Sequence, residues 1–547
     1  MPRRRQRHRQ RPGERVQEVV GETSVIDLLG EDLLQNILSR LPALTFASAA
    51  CVSRSWNVIC SRVLSGPKLS SAISLNHSPQ VAVKEVVDKV LSEPIRPHFA
   101  MACASPTFDL RLIHQLIAEK LGSTTPVVTY QSKGIVGRNA LSGEFKEVQW
   151  DITVQDDLGA QGSDIFPTVT HGILLIVGYL PGLKVDAVPL LRSAEDHQVP
   201  LIDKFVMDIQ EYTSSFSDSK SPAGIIMFAG PAIDAKRVLD KLDYSMSMET
   251  AIVGDASVNF LHQGQAESGN NRSRSCNSFG VALVFVRDQN IHHGSGEIEF
   301  HIMSSAGLSP IGPTFKAASV KERYGECSTW LTARREGLHD ILDGQTMLSE
   351  IDEEIGNRIE YPVLYIGVTK RRKCSVGLEK VRWMTSLAFH EVTGGDEEYL
   401  FVYGGGIKTG DSFRFYHSDP VAALSCCSKV SEHLKRLKQE SQDWACHKSE
   451  ITAARTNKGE VFGGIIFACC GRGESFFDRP NVDSSPFLEN FPAVPFGGTF
   501  CCGEIGRATS SLYDREAREP SAVHSSLHYF STVYLVLSYT PPSERRN

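Results

Sequence analysis

This chain of 547 residues has no apolar run long enough to cross a membrane as a helix. Such a helix needs about 20 consecutive apolar residues, and the longest run here, Ile173 to Leu180, has only the length of a strand. The basic N-terminal residues are not followed by the apolar segment of a secretion signal. Because 41% of the residues are hydrophobic and 22% charged, we expect a globular protein. Since neither a membrane helix nor a secretion signal is predicted, we expect it in the nucleus and cytoplasm with no membrane partner.

Paired-cysteine motifs are also missing. The 13 cysteines are an odd number, and none of them forms a Cys-x-x-Cys pair, so we expect reduced thiols and no structural zinc site. His292, His293 and His301 have no acidic or thiol partner at a useful spacing. The sequence therefore predicts no metal site and no cofactor.

Catalytic motifs are absent or incomplete. His390-Glu391 lacks the second histidine of a zinc-protease helix, and there is no G-x-S-x-G elbow. The glycine-rich stretch from Gly404 to Ser412 resembles a phosphate-binding loop, but Asp411 stands at the lysine position, where a carboxylate repels phosphate. We interpret this stretch as a turn between strands. No catalytic residue is predicted, and the chain is not expected to be an enzyme.

Positive charge is concentrated at the N-terminus. Residues 1–15 contain seven arginines and one acidic residue, Glu14, which gives this segment a charge of +6. Because the net charge of the whole chain is −7, the rest of the chain carries −13. We expect residues 1–24 to form a basic disordered tail, either a nuclear localisation or nucleic-acid patch or simply a solvated segment. Because the remainder is acidic, nucleic acid is not an expected partner.

The segment from Leu28 to Leu64 has the spacing of apolar residues that is typical of helices. Between Leu28 and Leu64 the apolar residues recur at helical spacing, and Pro42 interrupts the pattern. The segment therefore predicts three short helices. So small a unit can hardly bury all of its apolar surface, and its remaining face should contact another protein.

The same residues resemble an F-box. The matching positions are Leu33-Leu34, Ile37-Leu38, Leu41-Pro42 and Val52-Ser53-Arg54-Ser55-Trp56. Gly30 stands where the family has a proline, which should weaken the first helix or one adaptor contact. The resemblance implies that residues 25–70 bind a Skp-type adaptor through Leu29, Leu33, Leu34, Ile37, Leu38, Leu41, Pro42, Val52 and Trp56.

After a polar stretch at 65–78, the chain alternates between strand and helix patterns. Phe99 to Ala104 predicts a strand and Leu110 to Leu121 an amphipathic helix. Similar alternation continues to the last predicted strand, Val533 to Ser538. Leucines do not recur in the pattern of a leucine-rich-repeat solenoid. We therefore predict an α+β multidomain protein, with a small three-helix unit followed by α/β units that have mixed sheets and packed helices.

A second resemblance, to the FIST domain, covers this larger region. Its markers include Gly463 to Gly473, Phe496-Gly497-Gly498 and Cys502 to Gly506, with softer matches further upstream. We place a FIST N-terminal domain at 97–345 and a FIST C-terminal domain at 360–540. The layout resembles that of F-box-only proteins of animals and plants.

Two cysteine pairs in the C-terminal part could be functional. Cys469-Cys470 ends an apolar strand next to Arg472, and Cys501-Cys502 lies in a similar glycine-rich context near Glu504. A nearby arginine lowers a thiol pKa and favours the reactive thiolate, whereas buried cysteine commonly acts as a small apolar side chain. With both options open, the candidate target or ligand surface consists of Cys469, Cys470, Arg472 and Glu504.

Two functions follow from the resemblances. The first is a non-catalytic substrate receptor of an SCF-type ubiquitin ligase, in which the F-box binds the adaptor, and through it cullin and RING subunits, while the FIST region binds an unknown target protein. The alternative is a sensor of small molecules or redox state built on the FIST domain, as FIST domains of bacterial signalling proteins are thought to be.

Overall fold

A computed structural model describes residues 30–150, 171–192, 198–264, 278–290, 296–323, 327–356, 362–377, 379–446, 459–507 and 526–542. The predicted basic tail at 1–24 lies outside these residues. The helices are α1 (Glu31–Leu38), α2 (Ala43–Ala50), α3 (Arg54–Val63), α4 (Pro79–Val90), α5 (Leu110–Leu121), α6 (Gln198–Ser214), α7 (Ala235–Ser245), α8 (Gly344–Ile355), α9 (Pro420–Cys446), α10 (Glu474–Phe477) and α11 (Ser485–Asn490).

The strands make up most of the remaining regular structure. They are β1 (Lys68–Ser74), β2 (Phe99–Ala104), β3 (Val127–Gln131), β4 (Gly134–Arg138), β5 (Phe145–Gln149), β6 (Ile173–Tyr179), β7 (Leu183–Leu191), β8 (Gly224–Ala229), β9 (Ala251–Asp255), β10 (Asn259–Gln263), β11 (Ser278–Arg287), β12 (Glu297–Ser305), β13 (Leu308–Arg323), β14 (Ser328–Arg335), β15 (Leu364–Cys374), β16 (Arg382–Gly395), β17 (Leu400–Tyr403), β18 (Ser412–Ser418), β19 (Glu460–Cys469), β20 (Phe496–Cys501), β21 (Glu504–Arg507), β22 (Leu527–His528) and β23 (Thr532–Thr540).

The first three helices form a small unit with its own core. Apolar side chains from all three helices meet in it, and the buried ones are Leu34, Leu38, Phe46, Ala49, Ile59 and Cys60. Three helices are present where the spacing predicted them. The unit connects to β1 through residues 64–67 alone, so it lies directly beside the sheets.

Three mixed sheets surround one central apolar core. Their strand orders are β1-β6-β2-β3-β10, β22-β21-β9-β8-β11-β7 and β12-β23-β19-β20-β4-β5. Each sheet contains one parallel pair, namely β2–β3, β8–β9 and β19–β20. The inner faces of all three sheets contribute to a single buried cluster that includes Phe99, Phe285 and Phe467.

Helices cover the outer faces of the three sheets. Helices α4 and α5 pack on the first sheet, α6 and α7 on the second, and α9 and α11 on the third. This arrangement confirms the α+β class with mixed sheets and packed helices. None of the helices in the described ranges is long and apolar enough to cross a membrane.

A closed six-stranded barrel interrupts the third sheet in the chain. It follows β12 and precedes α9, with the order β13-β14-β17-β16-β15-β18. Helix α8 packs against it through Met347 and Ile351. The two chain ends of the barrel are joined, because the Asp419 N–H donates to the Gly307 carbonyl at 2.8 Å and the Ser309 hydroxyl donates to the Asp419 carboxylate at 2.7 Å.

The boundary predicted between residues 345 and 360 does not divide the structure into two separate domains. The β4–β5 hairpin pairs with β20, and β9 pairs with β21, so both sheets combine strands from the two sides. The barrel likewise combines β13 and β14 with strands that follow residue 360. The polar stretch at 65–78 contains β1, an edge strand whose buried Leu69 and Ile73 alternate with more polar residues.

Candidate functional site

The first helix begins at Gly30 without a side-chain cap. Gly30 has φ −59°, and its carbonyl accepts the N–H groups of Leu33 and Leu34, each at 3.1 Å. A proline would adopt the same φ, and a Cβ at Gly30 would meet no atom within 4 Å. The departure from the F-box pattern therefore leaves the local helix geometry intact.

The residues predicted to contact an adaptor divide into two groups. Leu33, Ile37, Pro42 and Val52 are exposed, and Leu41 and Trp56 are half-buried. Leu34 and Leu38 are only 7% and 1% exposed, since they fill the space between the three helices. We correct their role accordingly: these two hold the unit together and do not present a contact surface. Leu29 lies outside the described residues.

The sequence analysis missed two exposed apolar residues in this unit, Leu44 and Val58. Together with Leu33, Ile37 and Val52 they account for five of the fifteen large hydrophobic side chains exposed in the described parts of the chain. Leu44 could have been identified from periodicity, because Ala43, Phe46 and Ala49 occupy the buried face of α2. We call these five residues and Pro42 the apolar face of the three-helix unit.

Polar contacts hold the helices that carry this face. The Ser53 hydroxyl caps α3 by accepting the Trp56 N–H at 3.2 Å, and the Asn57 side chain donates to the Ala50 carbonyl at 3.1 Å. The Ala43 N–H donates to the Leu91 carbonyl at 2.9 Å, which connects α2 to the end of α4. Helix α2, which carries Leu44, is therefore anchored to α4, which packs on the first sheet.

Arg472 does not lie on a surface as predicted, but is completely buried. Its guanidinium forms a two-pronged ion pair with Asp483, with N–O distances of 2.6 and 3.0 Å. It also donates to the carbonyls of Ser305 and Phe530 at 3.2 and 3.1 Å. With its donors used in this way, Arg472 stabilises the turn after β19 and is not available to a target or ligand.

Cys469 and Glu504 are buried as well, so the predicted surface of four residues does not exist as a surface. One Glu504 carboxylate oxygen accepts from the Ser531 hydroxyl at 3.0 Å, and burial raises the pKa of Glu504 well above its usual value. Only Cys470 among the four is partly exposed. These residues face the protein interior because the sheets meet here.

Cys470 and Cys502 form a close pair of thiols, with 3.3 Å between their Sγ atoms. Contact with Cys469, together with burial, raises the pKa of Cys470 to about 12, and contact with Cys470, together with burial, raises that of Cys502. The expected lowering of thiol pKa by Arg472 is wrong for this pair, because the guanidinium contacts Cys427 at 3.5 Å instead.

A buried polar cluster lies where parallel strands end. Asp255 ends β9, Cys501 ends β20 and Ser132 follows β3, and all three are buried. The Ser132 hydroxyl donates to Asp255 at 3.0 Å, and burial raises the pKa of Asp255 to about 6. Sequence reasoning missed this cluster, since its members lie far apart in the chain and share no motif.

The remaining candidates are consistent with structural roles. In the described ranges no group of three or more His, Cys, Asp or Glu side chains is arranged to hold a metal. The His301 ring contacts the Ser538 hydroxyl at 2.8 Å, whereas His292 and His293 lie outside the described residues. Gly404 to Gly406 form a turn after β17, as interpreted from the sequence.

Comparison with protein families identifies two domains in this chain. The model of the F-box domain matches residues 26–68, which include the whole three-helix unit. The model of the FIST C domain matches residues 371–507, from β15 to the end of β21. The F-box resemblance and the resemblance to the C-terminal part of FIST are therefore confirmed.

Similar proteins extend this result. An Arabidopsis thaliana protein named as an F-box/LRR-repeat protein is 42% identical over 523 residues, which cover 94% of each chain. Uncharacterized proteins from two strains of Mycobacterium tuberculosis are 27% identical over 119 residues, 21% of this chain and 28% of theirs. The plant relative shares nearly the full length, while the bacterial proteins share a much shorter segment.

Proposed function

The chain belongs to the family of F-box proteins, and we propose that it is the substrate-recognition subunit of an SCF-type ubiquitin ligase. The F-box binds a Skp-type adaptor, and cullin and RING subunits join through that adaptor. The region after residue 97 binds the target protein. The chain acts by proximity: it holds the target near a charged ubiquitin-conjugating enzyme and so raises the effective concentration of the reacting groups.

The apolar face of the three-helix unit is the observation that carries this proposal. Exposed apolar side chains grouped on one small unit are typical of a protein interface. Leu33 and Ile37 lie one turn apart on the same side of α1, and their neighbours Leu34 and Leu38 point into the core. One side of α1 thus packs in the core of the three-helix unit, and the other side is available to a partner.

Co-purification with a Skp-type adaptor tests the proposal. Leu33→Asp combined with Ile37→Asp places two charges in the proposed interface and should abolish adaptor binding. Because both side chains are exposed, the fold should survive. Val421→Asp is the control, since Val421 is also an exposed apolar residue but lies at the start of α9.

The outcomes separate cleanly. We expect adaptor binding by the wild type and by Val421→Asp, and none by the double variant. Adaptor binding retained by the double variant would show that this face is not the interface. Absence of binding by the wild type would contradict the receptor role itself.

A second candidate function is thiol-based redox sensing, and the 3.3 Å contact between Cys470 and Cys502 favours it. A peroxide would accept two electrons and two protons from the thiols, giving a disulfide and water. The raised pKa values make the thiolates scarce at neutral pH, so the reaction should be slow. Such a bond would join the ends of the parallel neighbours β19 and β20.

Mass spectrometry after peroxide treatment tests this candidate. We expect a peptide containing both residues linked by a disulfide, which is lost in Cys470→Ser and kept in Cys51→Ser, where an exposed cysteine is changed instead. If Cys470 and Cys502 remain as thiols while Cys51 is oxidised, the pair is structural and the sensing function is wrong.

We further propose that the protein occurs in both nucleus and cytoplasm, with the arginines of residues 1–15 directing nuclear entry. Replacing these seven arginines by glutamine should shift a fluorescent fusion toward the cytoplasm. An unchanged distribution would leave the tail as a solvated segment.

A further inference from the structure

The glycine turn after β17 has an unusual set of neighbours. Gly404 and Gly406 both have φ +86°, a conformation that favours glycine. The Gly404 N–H donates to the Cys327 carbonyl at 2.7 Å, and its own carbonyl accepts from the Thr329 hydroxyl at 2.6 Å. The turn is thus held firmly, and exposed Gly405 opens it to solvent.

A buried lysine from the neighbouring barrel wall reaches this turn. Lys370 on β15 is only 6% exposed, and its Nζ donates to His390 Nε2 at 3.3 Å. The other ring nitrogen of His390 lies 3.1 Å from the Tyr403 carbonyl, and burial, together with Lys370, lowers the pKa of His390 to about 4, so this histidine is neutral. Burial, with a smaller effect of Arg372, lowers the pKa of Lys370 to about 8, while Asp411 and Asp234 act in the opposite direction.

Lys370 and Arg372 converge on one point. The position of a Cβ on Gly406 lies 3.6 Å from Arg372 Nη2 and 3.6 Å from Lys370 Nζ, and beyond the adjoining residues of the turn no other atom of the described residues lies within 4 Å of it. The two nitrogens are therefore no further apart than twice that distance. The point beside Gly406 has room for a methyl-sized group, and it is bordered by two cations and by the backbone of a turn that lacks side chains.

The carboxylates closest to the turn bind backbone N–H groups and form no ion pair with Lys370 or Arg372. The Glu322 carboxylate accepts the Gly406 N–H at 2.5 Å, and the Asp411 carboxylate accepts the Lys408 N–H at 2.8 Å. Further away, Asp234 pairs with Arg237 and Lys236 pairs with Asp240. The ion pairs formed between described residues include neither Lys370 nor Arg372. A buried cation without an anion is costly, so this pair is suited to receive one.

We propose that Lys370, Arg372 and the turn Gly404–Gly406 form a binding site for a phosphate-class oxyanion. The arginine fork and the ammonium bind two oxygens of the anion, and the space beside Gly406 accommodates it. The glycine-rich stretch looked incomplete as a phosphate loop because Asp411 replaces the usual lysine. The structure supplies cations from β15 instead. This site is independent of the proposed receptor role.

Calorimetric titration of the full chain with sodium phosphate at low ionic strength tests the site. Lys370→Met and Arg372→Gln should each weaken phosphate binding at least about tenfold, which corresponds to about 1.4 kcal/mol. Arg371→Gln and Lys373→Gln are matched controls, because these exposed residues of the same strand stack on Trp383. Both controls should stay within about twofold of the wild type.

Several results would overturn the proposal: no saturable binding by the wild type, equal weakening in all four variants, or unchanged binding in Arg372→Gln. The half-buried Arg372 decides the matter if Lys370→Met does not fold. O-phosphoserine then distinguishes the source of the anion. Tighter binding than inorganic phosphate assigns the site to a phosphorylated side chain, and weaker binding assigns it to free phosphate.

Discussion

Two ion pairs of equal length show how differently the F-box and the sheet region are built. Arg62 and Glu31 join α3 to α1 at 2.6 Å, and Arg472 and Asp483 join the turn after β19 to the segment before α11 at the same distance. The first pair is 53% and 70% exposed, whereas the second is 0% and 2% exposed. Solvent screens the first pair, and only the second is enclosed.

The difference extends to the apolar residues. The F-box leaves Leu33, Ile37 and Leu44 in water, while every residue of the inner sheet strands β2 and β8 is buried. A unit of three short helices has too little volume to enclose all of its side chains. The F-box therefore has a surface to offer to a partner, and the sheet core has little beyond its edges and loops.

Removing the buried cation should have the largest effect. Arg472→Met leaves the Asp483 carboxylate buried without its partner, and we expect a loss of about 3–5 kcal/mol in the free energy of unfolding. Arg62→Met should cost at most about 1 kcal/mol. Urea unfolding of both variants measures the contrast. Equal losses would show that burial does not distinguish the two pairs.

Neighbouring leucines test the division within the F-box. Leu34→Ala removes a buried side chain and should destabilise the unit by about 2–5 kcal/mol, whereas Leu33→Ala should change its stability by no more than about 0.5 kcal/mol. Amide hydrogen exchange of residues 31–63 measures the stability of this unit independently of the stability of the sheets. Loss of protection in Leu33→Ala as large as in Leu34→Ala would contradict the assignment of inner and outer faces.

The buried carboxyl of Asp255 should make the sheet region more stable in mild acid. Its folded pKa of about 6 lies above the ordinary value of 3.8, so its contribution to stability is fully present below about pH 4, lost as the pH rises to 6, and constant above. The shift corresponds to about 3 kcal/mol. Asp255→Asn should remove this decline in urea unfolding measured between pH 4 and 8. A decline that persists in the variant must come from other groups, such as Glu147, whose pKa burial raises to about 7.

The smallest effect is expected at the start of the F-box. Gly30→Pro restores the residue typical of the family at a φ that proline adopts, and it should stabilise the unit by about 0.4–1 kcal/mol by restricting the unfolded chain. Hydrogen exchange of α1 measures the gain, with Gly66→Pro as a control outside the helix. A destabilised α1 would show that the Gly30 backbone needs freedom that the structure does not reveal.

Local elements could be predicted well where hydrophobic spacing was strong. The strand Phe99–Ala104 and the helix Leu110–Leu121 agree with their predicted bounds, and Asp109 caps that helix through the Arg111 N–H at 2.9 Å. β1 was missed because its sequence, KLSSAIS, is rich in serine and signals a linker. Its strand conformation depends on pairing with β6, which lies about a hundred residues later in the chain.

The surface predicted around Cys469, Arg472 and Glu504 shows what motifs cannot predict. Cys469, Arg472 and Glu504 were correctly placed near one another by their common glycine-rich context, but that context does not indicate depth. Two sheets and the barrel meet at these residues, so burial removes them from solvent and raises the pKa of Glu504. Neither the pairing of Cys470 with Cys502 nor the approach of Lys370 to Gly406 follows from spacing along the chain.

The sequence by itself determined the family, the three F-box helices and the α+β class, because these depend on local periodicity and on short ordered motifs. Only the tertiary structure decided which leucines of α1 face outward, that strands from before residue 345 and after residue 360 share sheets, and which side chains meet at the glycine turn after β17. These properties depend on contacts between residues far apart in the chain. Only once those contacts form are side chains buried, and burial sets the energy of each charged group.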